Sequence, residues 1–351
     1  MFALIIPAIL LAAVSLDPAA SPVTLKNEAA VLTVSGPSGE LEARLKLDLE
    51  GLIATPDAAR ALGVELSRAR RVRRDGRSVQ IQTGAERLCV HHCADGMAVI
   101  AIEPRYIDHA VIGPSGFGPT VLDFDAGAIS TGAPPPDAVA LKGGRLGRLK
   151  LEACGHQFTA RLDPSRAASR MAPALMARLI EAEACATERP WRTIENSPEI
   201  YELELPAARS AEAVFPQLDF IADPELGEAI DAVIGLHAMR RYAWWFDAEA
   251  APVALQASQS ESAPLYGLGL QLSFADRGLR VTAIRTGGPA DGRLELDDRV
   301  VAINGVEPNS TNRSAFAAFF DTSTQRTLIF ELERNGENVT HTLTSRPREG
   351  G

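Results

Sequence analysis

The chain has 351 residues, of which 46% are hydrophobic and 23% are charged, and its formal net charge is −10. At about 150 residues per domain, this length predicts two or three domains, each large enough to form its own core. The composition is that of globular proteins and excludes a fibrous or disordered chain. The acidic excess excludes a nucleic-acid partner, because such a partner requires a basic protein face.

The first sixteen residues carry no charge and form an apolar run that only Pro7 interrupts. This run is shorter than the roughly 20 residues of a membrane-spanning helix, and residues 13–15 have the small-x-small pattern of a signal-peptidase site. Residues 1–20 are therefore predicted to be a signal peptide, and the protein to be exported to the periplasm or cell envelope. No Lys or Arg precedes the run, so an uncleaved anchor at 1–16, with membrane-surface contact through the N-terminus, stays open as an alternative.

The first 250 residues contain one sequence pattern twice. In each copy a short segment ending in aspartate precedes a helix that begins at proline and a final Ala-Val-Ile-Gly segment. The first copy comprises 43–48, 55–62 and 110–113, and the second comprises 160–163, 172–179 and 232–235. Matching landmarks are 115, 117 and 122 residues apart: Asp48 and Asp163, Pro56 and Pro173, Gly113 and Gly235. The pattern indicates a domain-sized duplication.

The first half is predicted to be mostly β, with one short helix. Alternating hydrophobicity indicates strands at 41–47, 70–74, 78–82 and 98–102. Residues 75–76 and 95–96 are Asp-Gly pairs, which are typical of hairpin turns. Thr55 is a favourable N-cap for the helix, which Pro56 opens and which ends before Gly63.

The second half repeats this order. Strands are predicted at 139–151, 157–162 and 200–205, and a helix at 173–184. Three consecutive prolines within 132–137 indicate a stiff linker between the halves, and the polar residues 256–262 indicate a second boundary. The chain is therefore predicted to contain a first lobe (25–132), a second lobe (138–255) and a third unit (263–348).

The third unit resembles a PDZ domain, an α+β fold, over its whole length. The resemblance rests on segments in family order: 266–270, 281–284, 288–290, 296–306, a helix at 313–320 and a hairpin at 330–344 that turns at Asn335-Gly336. In that family glycines let backbone N–H groups converge on a C-terminal carboxylate, and a strand edge binds the peptide main chain. No His begins the helix, so a peptide with an apolar C-terminal residue is expected. The peptide-binding residues implied by the resemblance are Gly267, Leu268, Gly269, Leu270, Leu272 and Phe316.

Residues 158–175 and the later Ile234-Gly235 pair resemble the signature of the retropepsin-like and pepsin-like aspartic peptidases. In that family each lobe supplies one aspartate from an Asp-Thr-Gly loop. Two carboxylates about 3 Å apart cannot both ionise, so one acts as general acid while the other activates a water. The resemblance implies a mainly β fold with two tandem peptidase-like lobes, each with a short helix, and Asp163 and Asp48 as the catalytic pair.

The Asp-Thr-Gly motif is degenerate in both copies. Asp163 is followed by Pro164, which has no N–H to donate, and by Ser165. In the first copy the gap between the aspartate and the helix proline is two residues shorter than in the second. Two alignments stay open: Lys46 takes the place of the catalytic aspartate, or a shortened loop puts Asp48 there.

The four cysteines are Cys89, Cys93, Cys154 and Cys185. An even number in an exported chain indicates disulfides, and we expect Cys89 to pair with Cys93 and Cys154 with Cys185. Zinc binding by Cys89, Cys93 and the intervening histidines is the alternative, but a structural zinc site usually joins two separated ligand pairs. No metal and no cofactor is predicted.

Six arginines lie on both sides of the Asp-Gly pair at 75–76: Arg68, Arg70, Arg71, Arg73, Arg74 and Arg77. Alternating arginines on a strand are typical of a solvated hairpin face. Contact with anionic envelope lipid or polysaccharide is the alternative.

Two functions stay open from the sequence. The first is an exported aspartic endopeptidase with a PDZ module, and the second is a non-catalytic envelope scaffold whose PDZ module binds peptides or protein C-termini. A trypsin-like serine peptidase with Ser115 as nucleophile is disfavoured, because His91 and His92 lie too close in sequence to belong to a separate barrel.

Overall fold

The computed structural model describes most of the chain between Ser21 and Pro347. The described residues are 21–26, 29–74, 77–90, 93–104, 110–114, 117–182, 185–195, 202–227, 229–258, 266–275, 278–308, 319 and 324–347. The following predictions lie outside them: the signal peptide or anchor at 1–20, the turn at Asp75-Gly76, His91, His92, Ser115, Phe316 and, apart from Phe319, the helix at 313–320. The described chain is mainly β, as the sequence predicts. Its helices are α1 (Pro56–Ala61), α2 (Pro173–Glu181) and α3 (Leu236–Met239).

Short strands make up most of each part of the chain. Those of the first half are β1 (Ser21–Lys26), β2 (Ala29–Gly36), β3 (Gly39–Leu45), β4 (Leu52–Ala54), β5 (Arg70–Arg74), β6 (Arg77–Cys89), β7 (Cys93–Ile102), β8 (Ala110–Ile112), β9 (Thr120–Asp123) and β10 (Ala128–Ser130). Those of the second half are β11 (Val139–Ala140), β12 (Gly143–Gly144), β13 (Arg148–Ala153), β14 (His156–Asp163), β15 (Ser169–Met171), β16 (Thr187–Arg189), β17 (Trp191–Thr193), β18 (Glu202–Ser210), β19 (Ala213–Ala222), β20 (Ala232–Gly235), β21 (Tyr242–Phe246) and β22 (Pro252–Ala257). Those of the C-terminal unit are β23 (Tyr266–Gly267), β24 (Leu270–Ala275), β25 (Gly278–Arg285), β26 (Arg299–Ile303), β27 (Thr327–Arg334), β28 (Glu337–Thr344) and β29 (Arg346–Pro347).

The two halves have the same strand pairing. In the first half β3 pairs with β2 and, in parallel, with β8, while β4 pairs in parallel with β7 and antiparallel to β8. In the second half β14 pairs with β13 and, in parallel, with β20, while β15 pairs in parallel with β19 and antiparallel to β20. The hairpins β6–β7 and β18–β19 are also equivalent. The duplicated sequence therefore folds twice into one topology.

Strands β9 and β21 join the halves through one large sheet. Leu122 of β9 lies directly opposite Trp244 of β21 in an antiparallel pair. These two residues follow Gly113 and Gly235 at the same distance in the sequence, so an approximate two-fold axis passes between them. Trp244 is fully buried, and its side chain contributes to the apolar core that both halves share.

The two longer helices begin where the sequence predicts. The Thr55 Oγ1 atom accepts the Ala58 N–H at 3.3 Å and caps α1, which Pro56 opens. Helix α2 begins at Pro173 but ends at Glu181 rather than at 184, because the backbone of Ala182, with ψ of 57°, has left the helical region. The strand predicted at 139–151 is divided into β11, β12 and β13, since Leu146 and Gly147 both have positive φ and form a turn.

The Asp95-Gly96 pair does not form the predicted hairpin turn. It lies inside β7, where Glu86 faces Met97 and Leu88 faces Ala94, so that β7 has one residue more than β6 between these pairs. Gly96 has φ of 66°, a conformation that glycine adopts at no steric cost. The pair therefore forms a β-bulge, which needs the same backbone freedom as a tight turn.

The C-terminal unit forms a six-stranded sheet together with β17 from the second half. Strand β24 pairs with β25, and the order continues through β26, β27 and β28. The β27–β28 hairpin turns at Asn335 and Gly336, whose φ values of 52° and 82° are those of a type I′ turn, as the sequence predicts. The C-terminal unit has its own apolar core, which is separate from the core of the two halves and includes the fully buried Phe330.

Candidate functional site

The ends of β3 and β14 are the positions at which the two halves would supply catalytic groups. In the second half Leu162 lies beside Ile234 and Asp163 beside Gly235. In the first half Leu45 lies beside Ile112, and the next residue, Lys46, donates its N–H to the Ile112 carbonyl at 2.8 Å. The sheet register therefore makes Lys46 the equivalent of Asp163. In this register Lys46 and Pro56 are ten residues apart, as are Asp163 and Pro173, so the loop before the helix has the same length in both copies and Asp48 is the equivalent of Ser165.

Asp48 and Asp163 nevertheless lie in one cluster, because Arg161 stands between them. The Arg161 guanidinium is 2.6 Å from Asp48 Oδ2 and 3.8 Å from Asp163 Oδ2. Lys46 Nζ lies 3.9 Å from Asp48 Oδ1. Asp163 is 1% exposed and the Asp48 side chain is 20% exposed. The structure thus brings together both aspartates predicted from the sequence, with a cation between them.

Asp163 is held by its own loop and by a second arginine. Ser165 donates its N–H at 3.2 Å and its hydroxyl at 2.5 Å to Asp163 Oδ1. Arg166 Nε lies 3.4 Å from Asp163 Oδ2, and another nitrogen of the same guanidinium is 3.5 Å from Asp223 Oδ2. In a peptidase pair a shared proton reduces the repulsion between the carboxylates, whereas here guanidinium groups do so.

The loop of Asp163 is also fixed across the junction between the halves. The Pro164 carbonyl accepts the Ala30 N–H of β2 at 2.9 Å. Gly147 has φ of 70°, and a Cβ atom at this position would lie 2.8 Å from Leu47 Cβ. These contacts leave the chain around Asp163 little room to rearrange.

Sequence reasoning missed Arg161, Arg166 and Asp223. A signal for Arg161 was present, since Ala-Arg-Leu occurs in both copies, at 43–45 and 160–162. Strand alternation places the Arg161 side chain on the opposite face of β14 from its buried neighbours Leu162 and Ala160. The partner of Arg161, Asp48, belongs to the other half of the chain, and no local sequence pattern reveals this contact.

Comparisons with known proteins add no family to these observations. The sequence matches no protein-family model, and it matches no curated protein.

The second candidate site is the outer edge of β24. Strand β24 pairs with β25 on one side and, among the described strands, with none on the other. In an antiparallel ladder alternate residues direct their N–H and C=O groups to opposite edges, so part of the main chain of β24 faces outward. This edge can accept one more strand.

The loop that leads into β24 is built on Gly269. Gly269 has φ of 62°, and a Cβ atom there would lie 3.1 Å from Arg285 Cβ and 3.3 Å from Gly288 Cα. The carbonyls of Leu268 and Gly269 accept the N–H groups of Ala290 and Arg285 at 3.1 and 2.9 Å. Within the described part of the chain, the amides of Leu268 and Gly269 have no acceptor. The loop is therefore fixed through its carbonyls while two N–H groups stay available.

The other residues predicted at this site lie beside the loop. Gly267 pairs with Arg346 in the small β23–β29 sheet. Leu270 and Leu272 are half-buried and pack against the core of the C-terminal unit, as does Phe319. Gly267, Leu270 and Leu272 thus flank the loop along the chain, while Phe319 packs against the same core.

A third cluster lies where the second half meets the C-terminal unit. Strand β17 pairs with β25, and Trp191 next to this contact donates its indole N–H to Glu202 Oε2 at 2.5 Å. Arg189 is surrounded by Glu202, Glu204 and Asp219, with the shortest contact, 2.6 Å, to Glu204. Burial raises the pKa of Asp219 from 3.8 to about 6, against the opposing attraction of Arg189.

The structure contains two disulfides, Cys89–Cys93 and Cys154–Cys185. These bonds remove all four thiols from metal binding. Among the described residues no group of three or more His, Cys, Asp or Glu side chains could hold a metal ion. No described helix combines the length and the apolar character that a membrane span requires.

Proposed function

We propose that this protein binds peptides by their free C-terminus, through a PDZ-like C-terminal unit carried on a peptidase-like body that does not cleave them. The carboxylate of the ligand is bound by the N–H groups of Leu268 and Gly269. The ligand main chain pairs with the outer edge of β24. This is the scaffold function that the sequence left open beside catalysis.

The observation that carries the proposal is the combination of an open strand edge with two unused amides at its start. Backbone N–H groups that converge in a glycine loop form a favourable site for a carboxylate. A hydrogen bond to a charged group contributes about 1.5–3 kcal/mol, so two such bonds account for a strong preference for a free carboxylate. Leu270 and Leu272, which follow the loop directly, are apolar, and Phe319 packs against the same core; this composition favours an apolar C-terminal residue.

Fluorescence anisotropy with labelled peptides tests the proposal. One set ends in Val, Leu or Phe with a free carboxylate, and the other set has the same sequences as C-terminal amides. We expect saturable binding of the free acids and at least tenfold weaker binding of the amides, since tenfold corresponds to about 1.4 kcal/mol. Equal affinity for acids and amides contradicts the proposal.

Gly269→Ala is the variant that addresses the loop. The added methyl group meets Arg285 Cβ and Gly288 Cα, and the positive φ is unfavourable for alanine. The matched control is Gly292→Ala, which has a similar φ of 72° but no atom within 4 Å of the new Cβ. Both variants carry the same backbone strain, so loss of peptide binding in Gly269→Ala alone assigns the effect to the loop.

An aspartic endopeptidase is the second candidate, because Asp48 and Asp163 share one guanidinium across the two halves. Such an enzyme would cleave unfolded protein at acid pH, and a statine-type transition-state mimic would block it. The ion pairs of Arg161 argue against this activity. We expect no inhibitor-sensitive cleavage; cleavage that disappears in Asp163→Asn would establish the peptidase instead.

We also propose that the protein is exported. Disulfides form and persist in oxidising compartments, and all four cysteines of the chain are paired. Fractionation of cells that produce the full chain tests this location. Recovery of the protein with free thiols from the cytoplasm would contradict it.

A further inference from the structure

The strand at the far end of the large sheet carries a cluster of arginines that the proposed function does not use. Strand β5 is the last strand of the sheet and pairs with β6. We name Arg68, Arg70, Arg71 and Arg73 the arginine ribbon. Arg74 and Arg77 continue strands β5 and β6, where their backbones pair.

The arginine ribbon is exposed on both faces. Because successive side chains of a strand point to opposite sides, Arg71 and Arg73 lie on one face and Arg70 on the other. All members are exposed, so no other part of the described chain covers either face. Val72 between them is also exposed, at 36%.

No carboxylate in the described part of the chain lies within ion-pair distance of the arginine ribbon. Some exposed arginines elsewhere have such partners, as Arg60 has Asp57 and Arg145 has Glu50, and others, such as Arg148 and Arg178, stand singly rather than in a cluster. The stretch from 67 to 85 contains six arginines and one aspartate, although the whole chain has a net charge of −10. Like charges held this close repel one another, and an external anion with many negative groups would remove that repulsion.

We propose that the arginine ribbon docks on an anionic phospholipid surface. Guanidinium groups bind phosphate oxygens through two parallel hydrogen bonds, and a hairpin that enters the headgroup layer meets phosphates on both faces. The exposed Val72 favours a lipid surface over a soluble polysaccharide, because its side chain gains from leaving water at the acyl boundary. The rest of the acidic chain is repelled from the same surface, which orients the protein with the ribbon toward the membrane.

Sedimentation of the full chain with lipid vesicles tests the proposal. The probes are phosphatidylcholine vesicles with and without phosphatidylglycerol, at low and high salt. The test variant is Arg71→Gln with Arg73→Gln. Each arginine near an anionic surface contributes about 1 kcal/mol, so the double variant should bind phosphatidylglycerol vesicles about 30-fold more weakly.

The matched control is Arg148→Gln with Arg178→Gln, which removes the same charge from exposed positions on β13 and α2. This control should bind as the wild type does, and high salt should abolish the difference between the variants. Three results would overturn the proposal: equal binding to both kinds of vesicle, equal loss in the control, or binding to soluble heparin without binding to vesicles. Far-UV circular dichroism confirms that the variants are folded.

Discussion

The two halves of the molecule form the same strand pairing and then place different chemistry at its end. In the second half the pairing ends at Asp163, which is buried beside two arginines; in the first it ends at Lys46, a half-exposed residue whose cation is 3.9 Å from Asp48. Backbone hydrogen bonds, which depend little on the identity of the side chain, hold the shared topology. A catalytic pair requires particular side chains at both ends, and only one half has the carboxylate there. A duplicated fold can thus be kept where a duplicated active site is not.

The two disulfides are expected to give the largest difference in unfolding free energy between the halves. Cys154–Cys185 closes a loop with a sequence separation of 31, whereas Cys89–Cys93 has a separation of 4. On the chain-entropy account, loss of the longer loop costs about 4 kcal/mol of unfolding free energy and loss of the shorter about 2 kcal/mol. Urea unfolding of the two Cys→Ser double variants measures this, and equal losses would show that unfolded-state entropy does not set the difference.

The strand ends themselves provide the next comparison. Asp163→Ala removes a buried acceptor of two hydrogen bonds and leaves Arg161 and Arg166 with one partner fewer, so we expect a loss of about 3 kcal/mol. Lys46→Ala at the equivalent position should cost less than about 1 kcal/mol, because its ion pair is long and solvated. Urea unfolding at pH 7 tests both. A similar loss of unfolding free energy in both variants would contradict this expectation and would show that the stabilisation does not depend on which charged group occupies the strand end.

Many of the strands and the starts of the two longer helices could be predicted from the sequence, because strand alternation and helix starts are local. The choice between Lys46 and Asp48 as the equivalent of Asp163 stayed open in the sequence, because it depends on the parallel pairing of β3 with β8, which lies far along the chain. The Asp95-Gly96 pair shows another limit: a positive φ is typical of hairpin turns and of bulges alike, and Gly96 lies in a bulge. The ion pair of Arg161 with Asp48 joins the two halves and leaves no trace in either local pattern.

The strand register makes Ala98 the equivalent of Asp219, so the first half has no carboxylate at this position. The folded-state pKa of Asp219 is raised from 3.8 to about 6, so its protonated form is favoured on folding. The resulting stabilisation is complete below pH 3.8 and is lost as the pH rises through 6. Asp219→Asn should therefore raise the unfolding free energy at pH 7 by about 1–2 kcal/mol, allowing for the partial exposure of the side chain, and should have little effect at pH 3. Urea unfolding curves of Asp219→Asn at pH 3 and pH 7 test this prediction. If the variant is less stable than the wild type at pH 7, the ion pair with Arg189 outweighs the cost of burying the carboxylate.

The helix caps give the smallest and most local comparison. In α1 Thr55 caps the first turn with its side chain, whereas Ala172 at the same place before α2 has no side-chain acceptor, although both helices continue with proline. Thr55→Ala should cost about 1 kcal/mol, and Thr55→Ser should restore most of it, because a hydroxyl is what the Ala58 N–H needs. The converse change, Ala172→Ser, should gain a few tenths of a kcal/mol, limited by the tight packing around this buried alanine. Thermal unfolding of the three variants measures these effects. If Thr55→Ala destabilises the protein as expected but Ala172→Ser destabilises it too, packing around Ala172 outweighs the gain from a cap at the start of α2.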